Sequence, residues 1–282
     1  MQNIILFDSA HTKDLWPLTA TRPVGELRIG ILTIREKWAK RLDAQVSYKT
    51  ADYLEKKYPL HIEEDNLVID ASVMPNEELI YLIGCLNTNQ YITHQNRFVA
   101  AKLNKRQVEA FIQDGSKNTN NALELINCRR VQNLWEIFSF NELELKDDFE
   151  LLTKNKTSIE LHSSNTHFGS QLFIEEGAKI RASILNSETG PIYISKNAEI
   201  MEGSMIRGPF FLGENAQVKM GAKIYGATTI GSGCRVGGEI NNSVFYANSN
   251  KAHDGFIGNA VIGEWCNICL LYTSPSPRDR TR

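Results

Sequence analysis

The sequence predicts an α/β domain followed by a parallel β-solenoid of hexapeptide repeats. The strongest observation is a run of aliphatic residues spaced six apart: Ile194, Ile200, Ile206, Leu212, Val218, Ile224, Ile230 and Val236. Four positions after each of these aliphatic residues lies another residue, and six of these eight residues have small side chains. A period of six fits neither an α-helix nor a β-hairpin, and it is typical of a solenoid with one short strand per repeat. A further observation is that, before residue 146, short apolar runs alternate with segments whose apolar residues recur at helical spacing.

Residues 1–145 are predicted to form the α/β domain, and residues 146–170 a linker. Short apolar runs indicate buried strands, and apolar residues on one face or after a capping asparagine indicate helices. The predicted strands are residues 3–7, 67–70 and 98–103, and the predicted helices are residues 33–42, 123–140 and the segments after Asn76 and Asn104. Alternating strands and helices favour a partly parallel sheet covered on both faces.

The solenoid is predicted to span residues 171–268, which supply about five coils and enough neighbour contacts to bury a core. Its period breaks twice. Between Ile180 and Ile194 the excess is assigned to the segment 186–191. After Val236 the next aliphatic residues in phase are Ile262 and Ile268, so residues 241–256 are predicted to be an extruded loop. Such interruptions commonly carry functional residues.

Composition excludes several classes of function. Charged residues make up 23% of the 282-residue chain and the net charge is −2, so no nucleic-acid-binding surface is expected. No apolar run approaches the roughly 18–20 residues of a membrane span, and the first residues lack the pattern of a signal peptide. Five scattered cysteines fit a reducing compartment. These features predict a cytoplasmic protein without a membrane partner.

The loop after the first strand resembles that of the sugar-1-phosphate nucleotidyltransferases. Residues 7–24 read FDSAHTKDLWPLTATRPV, with Pro17 and Pro23 at the spacing of that family. The resemblance implies a reduced, Rossmann-like nucleotidyltransferase domain that binds nucleotide through Asp8, Arg22 and Arg28. The glycines and basic residues of the family loop are replaced here, so the two arginines would compensate the phosphate charge. Alternatively, they are ordinary scaffold residues.

A second part of this resemblance concerns a metal. Residues 67–75 read LVIDASVMP and resemble the family strand that ends in a metal-binding aspartate. Asp70 is the only acidic residue in this stretch, although it is displaced by about two positions from the family's aspartate. The resemblance therefore implies Asp70 as a Mg²⁺ ligand.

Residues 250–267 resemble the acetyltransferase half of the bifunctional N-acetylglucosamine-1-phosphate uridyltransferase/glucosamine-1-phosphate acetyltransferase family. The matching sequence is NKAHDGFIGNAVIGEWCN. The resemblance implies a left-handed β-helix, acetyl-CoA as acyl donor and a homotrimer. It also implies His253 as the catalytic base, since a histidine can accept the proton that an attacking amine loses. The substrate-binding positions implied in the same way are Asn241, Lys251, Phe256 and Asn267.

Residues 269–282 read CLLYTSPSPRDRTR and show no period. They are expected to be a non-native tail. In the acetyltransferase family, further coils after this point help to bind acetyl-CoA, so an incomplete acetyltransferase is expected.

Three functions remain open from the sequence. The first is a sugar-nucleotide-pathway transferase that acylates an amino-sugar phosphate through His253. The second is an active, Mg²⁺-dependent sugar-1-phosphate nucleotidyltransferase in which the β-helix serves assembly. The third is a scaffold that binds a sugar phosphate or nucleotide sugar without turning it over.

Overall fold

The structure is a computed structural model that describes residues 2–114 and 122–268. The predicted tail, residues 269–282, lies outside these ranges. The chain divides into two compact units. The first comprises Met1–Leu27 and Leu32–Leu134, and the second comprises Arg28–Ile31 and the chain from Trp135 onward. Within the described ranges, no helix combines the length and the apolar character needed to cross a membrane.

The first unit contains a mixed six-stranded sheet in the order β2-β1-β3-β5-β4-β6. Its strands are β1 (Gln2–Phe7), β2 (Ala44–Lys49), β3 (Asp65–Asp70), β4 (Gln90–His94), β5 (Arg97–Asn104) and β6 (Ala122–Glu124). Strand β1 runs parallel to both β2 and β3, whereas β5 is antiparallel to β3 and β4. The predicted partly parallel sheet is confirmed, and the predicted strands lie within β1, β3 and β5.

The α-helices among the described residues of this unit are α1 (Ile34–Leu42), α2 (Asp52–Glu55), α3 (Glu77–Gly84) and α4 (Lys105–Asp114). The predicted caps are confirmed. The Asn76 side chain accepts a hydrogen bond from the Leu79 backbone at 2.8 Å, and Asn104 accepts one from Gln107 at 3.0 Å. Each of these bonds satisfies an N–H group that the first turn of a helix leaves unpaired.

Helix α5 (Leu134–Thr153) has 20 residues, and all of them except the first lie in the second unit. This helix starts and ends later than the predicted helix 123–140, and it occupies part of the segment predicted as a linker. Leu145 and Leu152 are buried, and Asp148 accepts a hydrogen bond from the Ile31 backbone at 2.9 Å. Buried side chains in its later turns explain why the helix continues beyond residue 140.

The remaining strands form a parallel β-solenoid of about five turns, as predicted. We name its three faces by their strands. Face A consists of β7 (Thr166–Phe168), β10 (Ile184–Asn186), β13 (Met205–Arg207), β16 (Lys223–Tyr225) and the first half of β19 (Glu239–Phe245). Face B consists of β8 (Leu172–Ile174), β11 (Ile192–Ile194), β14 (Phe210–Leu212), β17 (Thr228–Ile230) and the second half of β19. Face C consists of β9 (Lys179–Ile180), β12 (Glu199–Ile200), β15 (Gln217–Val218), β18 (Arg235–Val236) and β20 (Asn250–Lys251).

The predicted aliphatic ladder is the core of this solenoid. Ile206 pairs with Ile224 on face A, and Leu212 pairs with Ile230 on face B. Strand β21 (Phe256–Ile262) extends both of these faces by pairing with β19. The first break of the period lies where the sequence predicts it, because Leu185 occupies the inward position and the chain then takes nine residues to reach Ile194.

The second break is a shortening of the coil, and the prediction of an extruded loop at residues 241–256 is wrong. Ile240, Phe245 and Lys251 pair with Ile224, Ile230 and Val236 respectively, so the chain keeps winding. From Val236 to Ile268 there are 32 residues, which is four fewer than six full hexapeptides. Only the turn at residues 252–255 lies between strands β20 and β21. Successive inward residues are here separated by four residues (Val236 to Ile240) or five residues (Ile240 to Phe245), and a search for a constant period of six misses such spacings.

Candidate functional site

Two carboxylates lie at the carboxyl ends of adjacent parallel strands in the first unit. Asp70 is the last residue of β3, and Asp8 directly follows β1. The two strand ends are in register, since Phe7 pairs with Asp70. In open α/β sheets, ligands bind in the crevice beyond the carboxyl ends of the parallel strands. We call this place the strand-end site, defined by Asp8, Thr50, Asp70, Ser72 and Arg130.

Asp8 is held by two hydrogen bonds. Its Oδ1 accepts from the Val24 backbone at 3.1 Å, and its Oδ2 accepts from the Thr50 hydroxyl at 2.6 Å. The pKa of this carboxyl is raised from 3.8 to about 6. Burial is the main cause, the two hydrogen bonds oppose the rise, and the charge of Asp70 adds a smaller contribution to it. Asp8 therefore changes its charge within about one pH unit of neutrality.

Asp70 forms a buried ion pair with Arg130. The Arg130 Nη1 atom lies 3.1 Å from Asp70 Oδ2, and the two side chains are only 9% and 5% exposed. The other carboxylate oxygen accepts from the Ser72 backbone at 3.0 Å and from its hydroxyl at 2.6 Å. Both oxygens of Asp70 are thus engaged by protein donors.

The sequence did not single out Arg130 as a site residue. Residues 129–131 pass alongside the segment that follows β3, and an antiparallel bridge joins Val73 to Arg130. The Arg130 Nη2 atom also donates to the Phe98 carbonyl at 2.6 Å. The only signal in the sequence was a basic pair, Arg129 and Arg130, just before the predicted end of the domain.

The strand-end site does not offer a good place for Mg²⁺ as it stands. Mg²⁺ needs oxygen ligands with free lone pairs, usually from one or two carboxylates. Here Asp70 is neutralised by Arg130 and both of its oxygens accept from protein donors, whereas each oxygen of Asp8 accepts one hydrogen bond and keeps a second lone pair. Across residues 2–114 and 122–268, no group of three or more His, Cys, Asp or Glu side chains could hold a metal ion.

The two predicted nucleotide-binding arginines belong to different units. Arg22 is half-buried in the first unit, between two short 3₁₀ helices at Leu18–Ala20 and Val24–Glu26. Arg28 belongs to the second unit, where its backbone N–H donates to the Tyr246 hydroxyl at 3.1 Å. Its guanidinium donates to the Ile31 carbonyl. Nucleotide contacts by these arginines stay predictions.

His253 lies in the turn between β20 and β21. Its Nδ1 is 2.6 Å from the Asp254 carbonyl oxygen, and its Nε2 is 2.8 Å from the Ile268 carbonyl oxygen. Carbonyl oxygens only accept hydrogen bonds, whereas a neutral imidazole has one donor and one acceptor nitrogen. A catalytic base must direct a lone pair at the proton that it removes. His253 would therefore have to release one carbonyl before it could act.

Lys251 occupies an inward position of the coil, in register with Val236. It is 1% exposed, and its Nζ atom donates to the carbonyls of Gly237 at 2.7 Å and Gly255 at 2.5 Å. Burial lowers the pKa of this amine, and the charge of Asp254 opposes the effect. A phosphate contact by Lys251 would require this buried amine to become accessible to the ligand.

The other predicted substrate-binding residues lie on two faces of the last coils. Asn241 and Phe256 belong to face A, and the Phe256 side chain is largely exposed. Asn267 bridges to Asn250 of face C, and their side chains share a hydrogen bond of 2.8 Å. The structure thus places these residues near one end of the solenoid, distributed around its circumference.

The outer side of face A carries a groove that the sequence analysis missed. Its volume is about 590 Å³, and its apolar and cationic lining includes Phe168, Ile184, Met205, Arg207, Lys223 and Tyr225. Three of these residues, Phe168, Ile184 and Met205, are exposed by 44–48%. The hexapeptide period predicts the inward residues, and it is silent about the outward residues that alternate with them.

Comparison with known proteins relates the first part of the chain to a protein family. Residues 4–157 match the model of a family described as sugar nucleotidyl transferase, which covers a little over half of the chain. The matched region contains the whole strand-end site. No curated protein matches the chain.

Proposed function

Because the chain belongs to the sugar nucleotidyl transferase family, we propose that its first unit transfers a nucleotidyl group to a sugar 1-phosphate at the strand-end site. The observation that carries this proposal is the position of Asp8 and Asp70 at adjacent parallel strand ends, within the matched region. This is the place where α/β sheets bind nucleotides. The substrates are a nucleoside triphosphate and a sugar 1-phosphate.

In the proposed reaction, a phosphate oxygen of the sugar 1-phosphate attacks the α-phosphorus of the triphosphate. A new P–O bond forms, the bond to the β-phosphate bridge breaks, and pyrophosphate leaves with the bonding electrons. The reaction builds up negative charge on oxygen, so donors and cations fixed in advance accelerate it. Arg22 is the proposed cation of the loop, and Asp8 is the proposed contact to the nucleotide.

The test is pyrophosphate release from UTP or dTTP in the presence of a sugar 1-phosphate. We expect Arg22→Ala to lower the rate by about 10²-fold, the scale of losing one charge-stabilising group. Arg181→Ala serves as the control, since Arg181 is exposed on the solenoid. Nucleotide binding without turnover under all conditions would support the scaffold function. No binding and no turnover would contradict the proposal.

Acyl transfer at His253 is a second candidate function. The observation that favours it is the position of His253 in the turn 252–255, half-exposed and three residues before the exposed Phe256. An amine would attack the thioester carbon of acetyl-CoA, so that a C–N bond forms and the C–S bond breaks. His253 would take up the amine proton and return it to the departing CoA thiolate. His253 would first release the Ile268 carbonyl.

Thiol release from acetyl-CoA in the presence of glucosamine 1-phosphate tests this second candidate. If His253 is the base, His253→Asn should lower the rate by about 10²–10⁴-fold. An equal rate in the variant and the parent protein would contradict a catalytic role. Cys266→Ser is the control, because it changes a residue in the same coils, leaves the imidazole in place and should keep the parent rate.

A homotrimer is the proposed assembly of this chain. The apolar groove on the outer side of face A supports it, because exposed apolar patches on soluble proteins commonly mark association surfaces. In a cyclic trimer, face A of each protomer would pack against a different surface of its neighbour.

A further inference from the structure

Arg130 is held in the strand-end site by its own backbone neighbours. The Met74 N–H donates to the Arg129 carbonyl at 2.9 Å, and the Val131 N–H donates to the Ser72 carbonyl at 2.9 Å. Together with the bridge between Val73 and Arg130, these bonds fix the segment on both sides of the arginine. The ion pair with Asp70 is therefore built into the fold and is not a mobile surface contact.

The guanidinium is also fixed at both of its ends. Nη1 contacts Asp70 and Nη2 donates to the Phe98 carbonyl. The guanidinium therefore places a fixed positive charge beside the Asp70 carboxylate. An ion bound by Asp70 would lie about 2.0–2.6 Å from its oxygens. It would then sit within a few ångströms of a like charge in a poorly solvated place, where repulsion is strong.

We propose that Arg130 takes the place of a divalent cation at Asp70, so that the chain binds its nucleotide without a metal on this carboxylate. This inference rests on the proposed function, because it concerns the nucleotide site of the same unit. It assigns to Arg130 a positioning role: the guanidinium neutralises Asp70 and fills the volume in which an ion would be ligated. Any Mg²⁺ in the reaction then arrives with the triphosphate, bound to its phosphate oxygens.

Binding of Mn²⁺, followed by electron paramagnetic resonance, tests the inference without relying on activity. We expect the wild-type chain to show no Mn²⁺ site that depends on Asp70. Arg130→Met removes the charge and keeps an unbranched apolar stem, so it should create a Mn²⁺ site that disappears in the double variant Arg130→Met, Asp70→Asn. Arg130→Lys keeps the charge and should behave as the wild type. Circular dichroism checks that each variant is folded.

A wild-type Mn²⁺ site that Asp70→Asn abolishes would overturn the inference, and so would a folded Arg130→Met variant that gains no site. If Arg130→Met does not fold, the wild-type and Asp70→Asn titrations still decide. A calorimetric titration with UDP-glucose separates this inference from the proposed function. Binding that is the same within about twofold with EDTA or Mg²⁺ supports the inference. Binding that requires Mg²⁺ and is lost in Asp70→Asn contradicts it, whereas failure to bind any nucleotide contradicts the proposed function alone.

Discussion

The guanidinium of Arg130 and the carboxylate of Asp70 are 3.1 Å apart and almost completely buried. Their positions in the sequence differ by 60 residues. The pair joins the end of a central parallel strand to the last segment of the same unit. Each partner therefore compensates the buried charge of the other, and the pair sets the charge of the proposed nucleotide site.

Removal of one member of this pair should be costly. Arg130→Ala leaves the Asp70 carboxylate buried without its counter-charge, and breaking a buried pair in this way costs about 3–5 kcal/mol. The measurement is urea unfolding followed by tryptophan fluorescence. Lys102→Ala is the matched control, because Lys102 and Asp65 form a partly exposed pair with a distance of 3.4 Å in the same sheet. The control should cost about 1 kcal/mol or less, and equal effects of the two substitutions would contradict the account.

The raised pKa of Asp8 predicts a pH-dependent stability. The folded-state value of about 6 lies above the ordinary value of 3.8, so folding favours the neutral acid. This contribution is fully present below about pH 4 and is lost as the pH rises through about 6. Relative to Asp8→Asn, the wild type should therefore lose up to about 3 kcal/mol between these limits.

Unfolding free energies of the wild type and Asp8→Asn across this pH range provide the measurement. Asp52→Asn is the control, since the Asp52 side chain is 99% exposed. A wild-type minus Asp8→Asn difference that stays constant with pH would show that Asp8 titrates normally.

A buried amide should be essential to the second unit. Asn141 accepts hydrogen bonds from the Gly30 backbone at 2.7 Å and from the Thr229 hydroxyl at 3.1 Å, and it donates to the Ala227 carbonyl at 2.8 Å. Asn141→Ala leaves the Gly30 N–H and the Ala227 carbonyl buried without this hydrogen-bond partner. We therefore expect the free energy of unfolding to fall by about 2–4 kcal/mol. Thermal unfolding measures it, with Glu142→Ala on the same helix as control.

Gly30, which donates to the Asn141 side chain, leaves no space for a side chain of its own beside helix α5. Its φ is +81°, and a Cβ built on it would lie 2.8 Å from the Glu144 carbonyl oxygen. The backbone at residue 30 thus runs directly against helix α5. If Asn141→Ala were as stable as Glu142→Ala, the hydrogen bonds of this close approach would contribute little.

Assembly through face A makes a separate prediction. Met205 lies in the middle of the apolar groove and is 45% exposed, so Met205→Glu should place a charge in the proposed interface and shift a trimer toward monomer. Sedimentation velocity measures the shift. Met220→Glu is the control, because Met220 is 70% exposed and lies outside the groove. If both variants sediment as the wild type does, face A is not the interface.

The sequence predicted the elements whose signals are local. The hexapeptide ladder gave the solenoid, and the capping roles of Asn76 and Asn104 follow from contacts only three residues away. The parts that sequence reasoning missed depend on long-range pairing. Arg130 reaches Asp70 through a bridge between distant segments, and no local pattern indicates this contact.

The last coils show a second limit of sequence reasoning. Lys251 lies inward where the pattern asks for an aliphatic residue, because its amine finds two carbonyl partners at the corner of the coil. A polar residue in a core position is tolerated when its donors are satisfied. The chain therefore kept winding where a period-based prediction placed a loop.

Hydrogen exchange with and without UTP is the most direct measurement of the proposed nucleotide site. Amide exchange of the full chain, analysed by mass spectrometry, locates the bound nucleotide along the sequence. The account predicts slower exchange in peptides that cover residues 8–24 and 70–75, where Asp8 and Asp70 follow β1 and end β3. Protection confined to the coils at residues 239–262, or no protection in any peptide, would contradict it.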